Sequence, residues 1–236
     1  MSKNEHIVFG KTKIKFSIDY KDRKSMTIQV HPDRSVKILA PVDSQLDKVK
    51  AKVKKKAPWI IKQQDFFLSF HPLTPPRQYI SGETHLYLGR QYRLKVVEQQ
   101  ETSVKLHGAN IWVYTSSKEN HRQIKKQLNA WYTEKAQHHF KILFDQLKPT
   151  IEKYNTVKPF LAQRWMKKRW GSCSPQGKIL LNTELIKAPK ACIEYVLVHE
   201  LCHLIYPNHS RKFFRLLTYQ LPEWRKMKDR LERVMV

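Results

Sequence analysis

The stretch Cys192-Ile193-Glu194-Tyr195-Val196-Leu197-Val198-His199-Glu200-Leu201-Cys202-His203 constrains the fold more than any other part of the chain. Its first seven residues are nearly all apolar, and Pro189 stands just ahead, where the first turn of a helix tolerates proline. Such a segment reads as a buried helix, so other elements must cover it. Into this apolar setting the chain places three ionisable side chains, which are costly to bury without a purpose. His199 and His203 are four residues apart and project from one helix face, one turn or about 5.4 Å apart, a spacing suited to gripping a single zinc ion. Glu200 lies beside the pair, within reach of a metal-bound water and outside the coordination shell. The H-E-x-x-H pattern therefore reads as two zinc ligands and a general base. With 11 His and 12 Glu among 236 residues, random order gives roughly 0.03 matches, so chance explains it poorly. The competing structural reading is a pair of buried histidines bonded to backbone.

A catalytic zinc usually has three protein ligands and one position open to water. Two residues compete for the third place. His209 follows His203 just past the helix break expected at Pro207, and Glu223 lies twenty residues beyond His203. His209 is the nearer, and neutral imidazole suits zinc. The metzincin pattern shares this histidine spacing, but its glycine position is Tyr206 here, so the turn must be made through Pro207-Asn208. His138-His139, the other histidine pair, occupies adjacent helix positions about 100° apart, which rarely share an ion.

Arg169-Trp170-Gly171-Ser172-Cys173-Ser174, Leu181-Asn182, His199-Glu200-Leu201-Cys202-His203 and Asn208-His209-Ser210 with Phe213-Phe214 together resemble the YgjP-like metallopeptidase family. The N-terminal strands, Ala40-Pro41 and Pro58-Trp59-Ile60 fit the same pattern, so the resemblance covers most of the chain. More distantly the chain is similar to SprT-like domains, including those of proteases that digest proteins crosslinked to DNA. The resemblance implies Zn2+ on His199, His203 and His209, with Glu200 catalytic. Phe214 departs from it, since many relatives carry tryptophan there; the swap is apolar and leaves the site assignment intact.

Residues 161–173 and 178–186 read as two strands joined by the turn Ser174-Pro175-Gln176-Gly177. A hairpin just before the zinc helix offers an edge to an extended peptide substrate, which makes Arg169, Trp170, Gly171, Ser172 and Cys173 candidate substrate-binding residues. Equally, Trp170 can pack in the core and Gly171 permit a close strand–helix approach. Tyr206 or a nearby basic residue is the candidate to assist the developing oxyanion. Cys173 is a poor candidate nucleophile, because the metal motif already supplies water in that role, and Cys202 reads as a small packing residue.

Upstream, residues 12–20 and 25–31 alternate apolar and polar side chains, a turn at 31–34 leads to a strand at 36–40, and a helix follows from about 45 to 70. Pro58 is expected to kink or split that helix, and its lysines, from Lys50 to Lys56, form a basic face. His71-Pro72-Leu73-Thr74-Pro75-Pro76 reads as a linker. Strand signals return at 85–88, 92–97 and 111–114, and a helical stripe runs from about 119 to 147. The expected fold class is α+β. Residues 1–118 form a β-rich N-terminal half with one helix. Residues 119–236 form a zincin-like C-terminal half with a short β-sheet and the HExxH active-site helix.

Lys+Arg outnumber Asp+Glu by 45 to 20, a formal net charge of +25, spread along the chain rather than gathered in a tail. Such a molecule meets polyanions, so DNA or another nucleic acid is a candidate partner beside the protein or peptide substrate. Lys167, Lys168 and Arg169, with Arg211, Lys212 and Arg215, are candidates to flank one cleft. Three cysteines without framework spacing argue against a disulfide scaffold. No apolar leader opens the sequence and no apolar run approaches the ~20 residues of a membrane span, so a cytoplasmic protein is expected. Zinc-dependent peptide hydrolysis is the leading function. Its competitors are metal-dependent hydrolysis of a nucleoside triphosphate, for which no G-x-x-x-x-G-K-[ST] loop is present, and a DNA-binding module with a structural zinc, which needs four protein ligands.

Overall fold

The computed structural model describes the chain except residues 1–2, 11, 32, 69–76, 155–156, 167–168 and 235–236. The fold is mixed α+β. The chain divides into two compact units, Met1–Pro75 and Pro76–Met235.

The first unit is a four-stranded sheet covered by one helix. Strands β1 (Lys3–Phe9), β2 (Thr12–Lys21), β3 (Thr27–Val30) and β4 (Val36–Pro41) lie in the order β1-β2-β4-β3, with β2 and β4 parallel and the other pairs antiparallel. The alternation in β2 buries Ile14, Phe16 and Ile18, and that in β4 buries Val36, Ile38 and Ala40. Helix α1 (Leu46–Leu68) lays Val49, Val53, Ala57 and Ile60 on this face. The helix runs unbroken through Pro58. One lost backbone bond there is offset by apolar burial on both sides of the proline. Strand β1, which the sequence pattern does not announce, is held by its register with β2 and contributes the buried Ile7.

In the second unit, β5 (Thr84–Tyr87), β6 (Arg90–Glu98), β7 (Ser103–His107) and β8 (Asn110–Thr115) form a sheet of order β5-β6-β8-β7. Helix α2 (His121–Glu152) packs Ile124, Leu128, Trp131 and Tyr132 into the same core as Leu94, Ile111 and Val113 of that sheet. Tyr132 also donates to the Leu86 carbonyl at 2.8 Å. This shared core draws residues 84–115 into the helix-rich unit, so the compact units part at 75–76 rather than near 118. The linker read at 71–76 lies outside the described residues.

The third sheet sets up the site. Strand β9 (Phe160–Arg164) pairs parallel with β11 (Lys178–Asn182), and β10 (Gly171–Cys173) pairs antiparallel with β11 on its other side. The turn 174–177 forms as the sequence suggests, with Gly177 at φ 87°. The first hairpin arm is not one strand, however, and the second ends at Asn182. From there the chain makes a 3-10 turn, Thr183–Lys187, because the Asn182 side chain accepts from the Glu184 amide and caps it. Helix α3 (Lys190–Cys202) follows, then α4 (Arg211–Gln220) and α5 (Trp224–Val234). No helix among the described residues is long and apolar enough to cross a membrane.

Candidate metal centre

Helix α3 is buried on nearly every side: Cys192, Ile193, Tyr195, Val196, Leu197, Val198, Leu201 and Cys202 all lie in the core. The interior fixes its axis and therefore the direction of His199, Glu200 and His203 at its C-terminal end. His203 caps the helix in helical geometry, and bonds from the amides of Leu204, Ile205 and Tyr206 continue the turn before Pro207. The loop then brings His209 back. Ser210 next to it caps α4, its hydroxyl accepting from the Phe213 amide at 3.3 Å.

The ligand atoms of His199, His203 and His209 all lie within 4.8 Å of one another. The Nε2 atoms of His199 and His209 are 3.0 Å apart. His203 donates from Nδ1 to the Tyr206 carbonyl at 3.1 Å, which leaves its Nε2 lone pair for a metal, the usual way a backbone acceptor orients a ligating imidazole. The buried Nδ1 of His199 has no hydrogen-bond partner among the described residues. Burial, then the neighbouring imidazoles of His203 and His209, pull His199 down to about 4, and burial also lowers His203. Neutral nitrogen donors at this spacing are what zinc takes in a three-histidine site. The ring of Phe213, fully buried, is the apolar seat of the cluster, with centroids 5.0, 4.6 and 4.8 Å from those of His199, His203 and His209.

Glu200 is only 7% exposed. Burial raises its carboxyl to about 7, against the opposing pull of the Arg169 charge. It fits because residue 171 is glycine: a Cβ there would stand 2.7 Å from Glu200 Cγ and Oε1. The close approach of β10 to α3 is therefore a contact between Gly171 and this carboxylate.

Arg169, Gly171, Ser172 and Cys173 line one cavity of about 600 Å³ together with Glu200 and the three histidines. Trp170 and Tyr206 are not among its lining residues. Both instead pack partly buried against the core, and the Tyr206 carbonyl bonds to His203 Nδ1. Burial, then the charge of Glu200, raises the Cys173 thiol to about 11, and burial takes Cys202 to about 12, so neither is a thiolate at neutral pH. Glu223 pairs with Lys226 and stands outside the histidine cluster. His139 bonds to the Tyr87 hydroxyl at 2.9 Å and, among the described residues, shares no metal cluster with His138. Arg211, Lys212 and Arg215 are exposed on α4 and do not line the cavity. Lys167 and Lys168 lie outside the described residues.

Two supporting residues belong to the segments that carry the family resemblance, but their roles were not legible in the sequence. Phe213 appears in the sequence only as one of two adjacent aromatics. Asn182, 3% exposed, accepts from the Met166 and Glu184 amides and donates to the Met166 and Arg169 carbonyls, pinning the segment that carries Arg169. Beyond its place in the Leu181-Asn182 segment of the resemblance, its local signal is that of a cap at a strand end.

No curated protein matches the chain. Among solved structures, one titled "Crystal structure of the metallopeptidase zymogen of Pyrococcus abyssi abylysin" is similar over 43% of this chain and 99% of its own, at 23% identity and a TM-score of 0.33. That likeness is too slight to carry structure or activity across. The model of the YgjP-like family, its metallopeptidase domain, matches residues 24–234, a span that holds all three histidines, Glu200 and the Gly171 strand. With so much of its length matched, this chain belongs to the YgjP-like metallopeptidase family.

Proposed function

We propose that the chain is a zinc-dependent peptidase in which His199, His203 and His209 hold the ion and Glu200 moves the proton. The observation that supports this most directly is the convergence of three imidazoles beside a buried carboxylate, on one helix turn and the loop after it. Bound there, zinc supplies Lewis acidity, polarising a carbonyl and bringing the acidity of water near neutral pH. Glu200 takes the proton from the attacking water on a carboxylate oxygen and returns it to the leaving amine nitrogen. Burial disfavours the charged form of this carboxyl, which suits a group that must take up a proton and then release it. The Tyr206 carbonyl holds the His203 ring in place, and the Phe213 ring excludes water from beneath the cluster.

The substrate in this reading is protein or peptide. Strand β10 pairs with β11 alone among the described residues, so its free edge is available to an extended peptide, whose main chain would pair along Gly171–Cys173 above the histidines. The charge of Arg169, which already reaches Glu200, is placed to offset negative charge developing at the scissile carbonyl. This is the zincin-like reading of the sheet and active-site helix. Triphosphate hydrolysis is less well supported, because Arg169 is the sole Lys or Arg among the described residues lining the cavity.

The test is Glu200→Gln. It should keep one zinc per chain by elemental mass spectrometry and lose about 10²–10⁴ of peptide turnover. Wild-type turnover in the variant would end the assignment, and nucleotide hydrolysis with intact peptides would move it to phosphoanhydrides.

A further inference from the structure

The first unit carries a groove that the metal centre does not use. Met26, just before edge strand β3, and Thr27 and Ile28 at its start line a cavity of about 320 Å³ with Lys52, Lys56 and Trp59 of α1. Lys52, Lys56 and Trp59 are spaced i, i+4 and i+7, one residue ahead of the buried Val53, Ala57 and Ile60. They therefore form a second stripe beside the core stripe. Trp59 is 42% exposed, costly for an indole with nothing to cover it. Neither lysine has an acidic partner among the described residues, and no acidic side chain lines the groove. Arg23, outside the lining, donates from Nη2 to Thr27 Oγ1 at 2.7 Å. Over its length α1 holds seven lysines against two aspartates.

We propose that this groove binds single-stranded nucleic acid, with a base stacked on Trp59 and the adjoining phosphates on Lys52 and Lys56. The pairing of an exposed aromatic face with flanking cations is what unpaired strands require: stacking tolerates any base, and the lysines follow the backbone. Thr27 offers a hydroxyl, and Met26 and Ile28 an apolar floor, for the rest of the base. The inference does not depend on zinc or on peptidase activity.

The experiment is fluorescence anisotropy of a labelled dT15 strand with the full-length protein over a salt series. The duplex of the same length and a polyglutamate peptide serve as rival ligands. Trp59→Ala should weaken binding of dT15 by about fivefold to a hundredfold, the range of one stacked base. Trp59→Phe, which keeps an aromatic face and guards against a folding artefact, should recover much of the loss. Lys52→Ala/Lys56→Ala should reduce the slope of log affinity against log salt by about 1.4, for two phosphates on a single strand. The exposed pair Lys95→Ala/Lys126→Ala, on the second unit, should leave binding near wild type. Equal losses from both lysine pairs, indifference to Trp59, tighter binding of the duplex, or preferential capture of polyglutamate would each overturn the proposal.

Discussion

Gly171→Ala isolates the contact on which the proposed chemistry turns. The residue has no left-handed backbone to protect, so alanine meets no φ penalty there. What it lacks is space: the new Cβ would lie 2.7 Å from Glu200 Cγ and Oε1 and 3.0 Å from Cδ, where ordinary contacts begin at 3.4 Å. The atoms in the way belong to one side chain and not to backbone, so the cheapest relief moves the Glu200 carboxylate by about 0.7 Å. Misplacement of a reacting group by about 1 Å can cost 10²-fold in rate, so kcat should fall by about 10- to 100-fold, or about 1.4–2.7 kcal/mol of barrier. Folding should barely notice, because the entropy alanine removes from the unfolded chain, about 0.4–1 kcal/mol, offsets the local repacking. The assay is hydrolysis of a quenched fluorogenic peptide by zinc-loaded protein, with kcat and KM resolved, alongside a thermal melt and metal content. A loss confined to kcat, with Tm within about 4 °C and full zinc, is expected. Undiminished kcat would refute the reasoning. A rise in KM alone would show that the methyl group obstructs the substrate edge and leaves Glu200 in place.

Three further outcomes follow from the same structure. Asn182→Ala removes four hydrogen bonds from a buried site. It should destabilise the protein by about 3 kcal/mol in urea unfolding, and Asn182→Asp, which keeps the two acceptor bonds but turns a carboxylate oxygen on the Met166 and Arg169 carbonyls, should cost at least as much at neutral pH. Gly89→Ala faces both a φ of +78° and Pro189 within 2.7 Å, its Cα at 2.9 Å. A loss of about 2–4 kcal/mol is expected from backbone strain and overpacking together, and an unchanged melting curve would contradict it. His85, 4% exposed, is lowered to about 4 by burial and then by the Arg77 charge. The unfolded chain, with an ordinary histidine near 6.5, binds one more proton between those values. This contribution is therefore whole above pH 6.5 and drains away as pH falls to 4, in total about 3 kcal/mol. Urea unfolding at pH 7 and pH 4.5 should show a smaller fall for His85→Gln than for wild type, and equal falls would remove His85 as the cause.

Much of the three-histidine cluster was legible because a helix converts spacing into direction. His199, Glu200 and His203 needed only the α-helical period and an apolar flank to be placed, and His209 needed only a break at Pro207. The alternation in β2 and β4 was equally plain, since burial of one sheet face repeats every second residue. Local patterns could not say which elements share a core. Nothing before residue 84 or after 118 announces that Leu94, Ile111 and Val113 are covered by Ile124 and Leu128, so the boundary between units moved to 75–76. Strand β1 is recognised through its pairing with β2, and the 3-10 turn after Asn182 through a cap that also holds a segment 16 residues upstream. The approach of Gly171 to Glu200, the seat that Phe213 makes under the histidines, and the retreat of Trp170 and Tyr206 from the cavity lining are likewise contacts between distant segments. The sequence by itself determined the charge and the grouping of His199, Glu200 and His203, the donors and base of the proposed mechanism, because these depend on residue type and on the repeat of one helix. The tertiary structure decided which side chains reach the cavity and what holds them there, because packing and hydrogen bonding between distant segments choose among conformations that are locally equivalent.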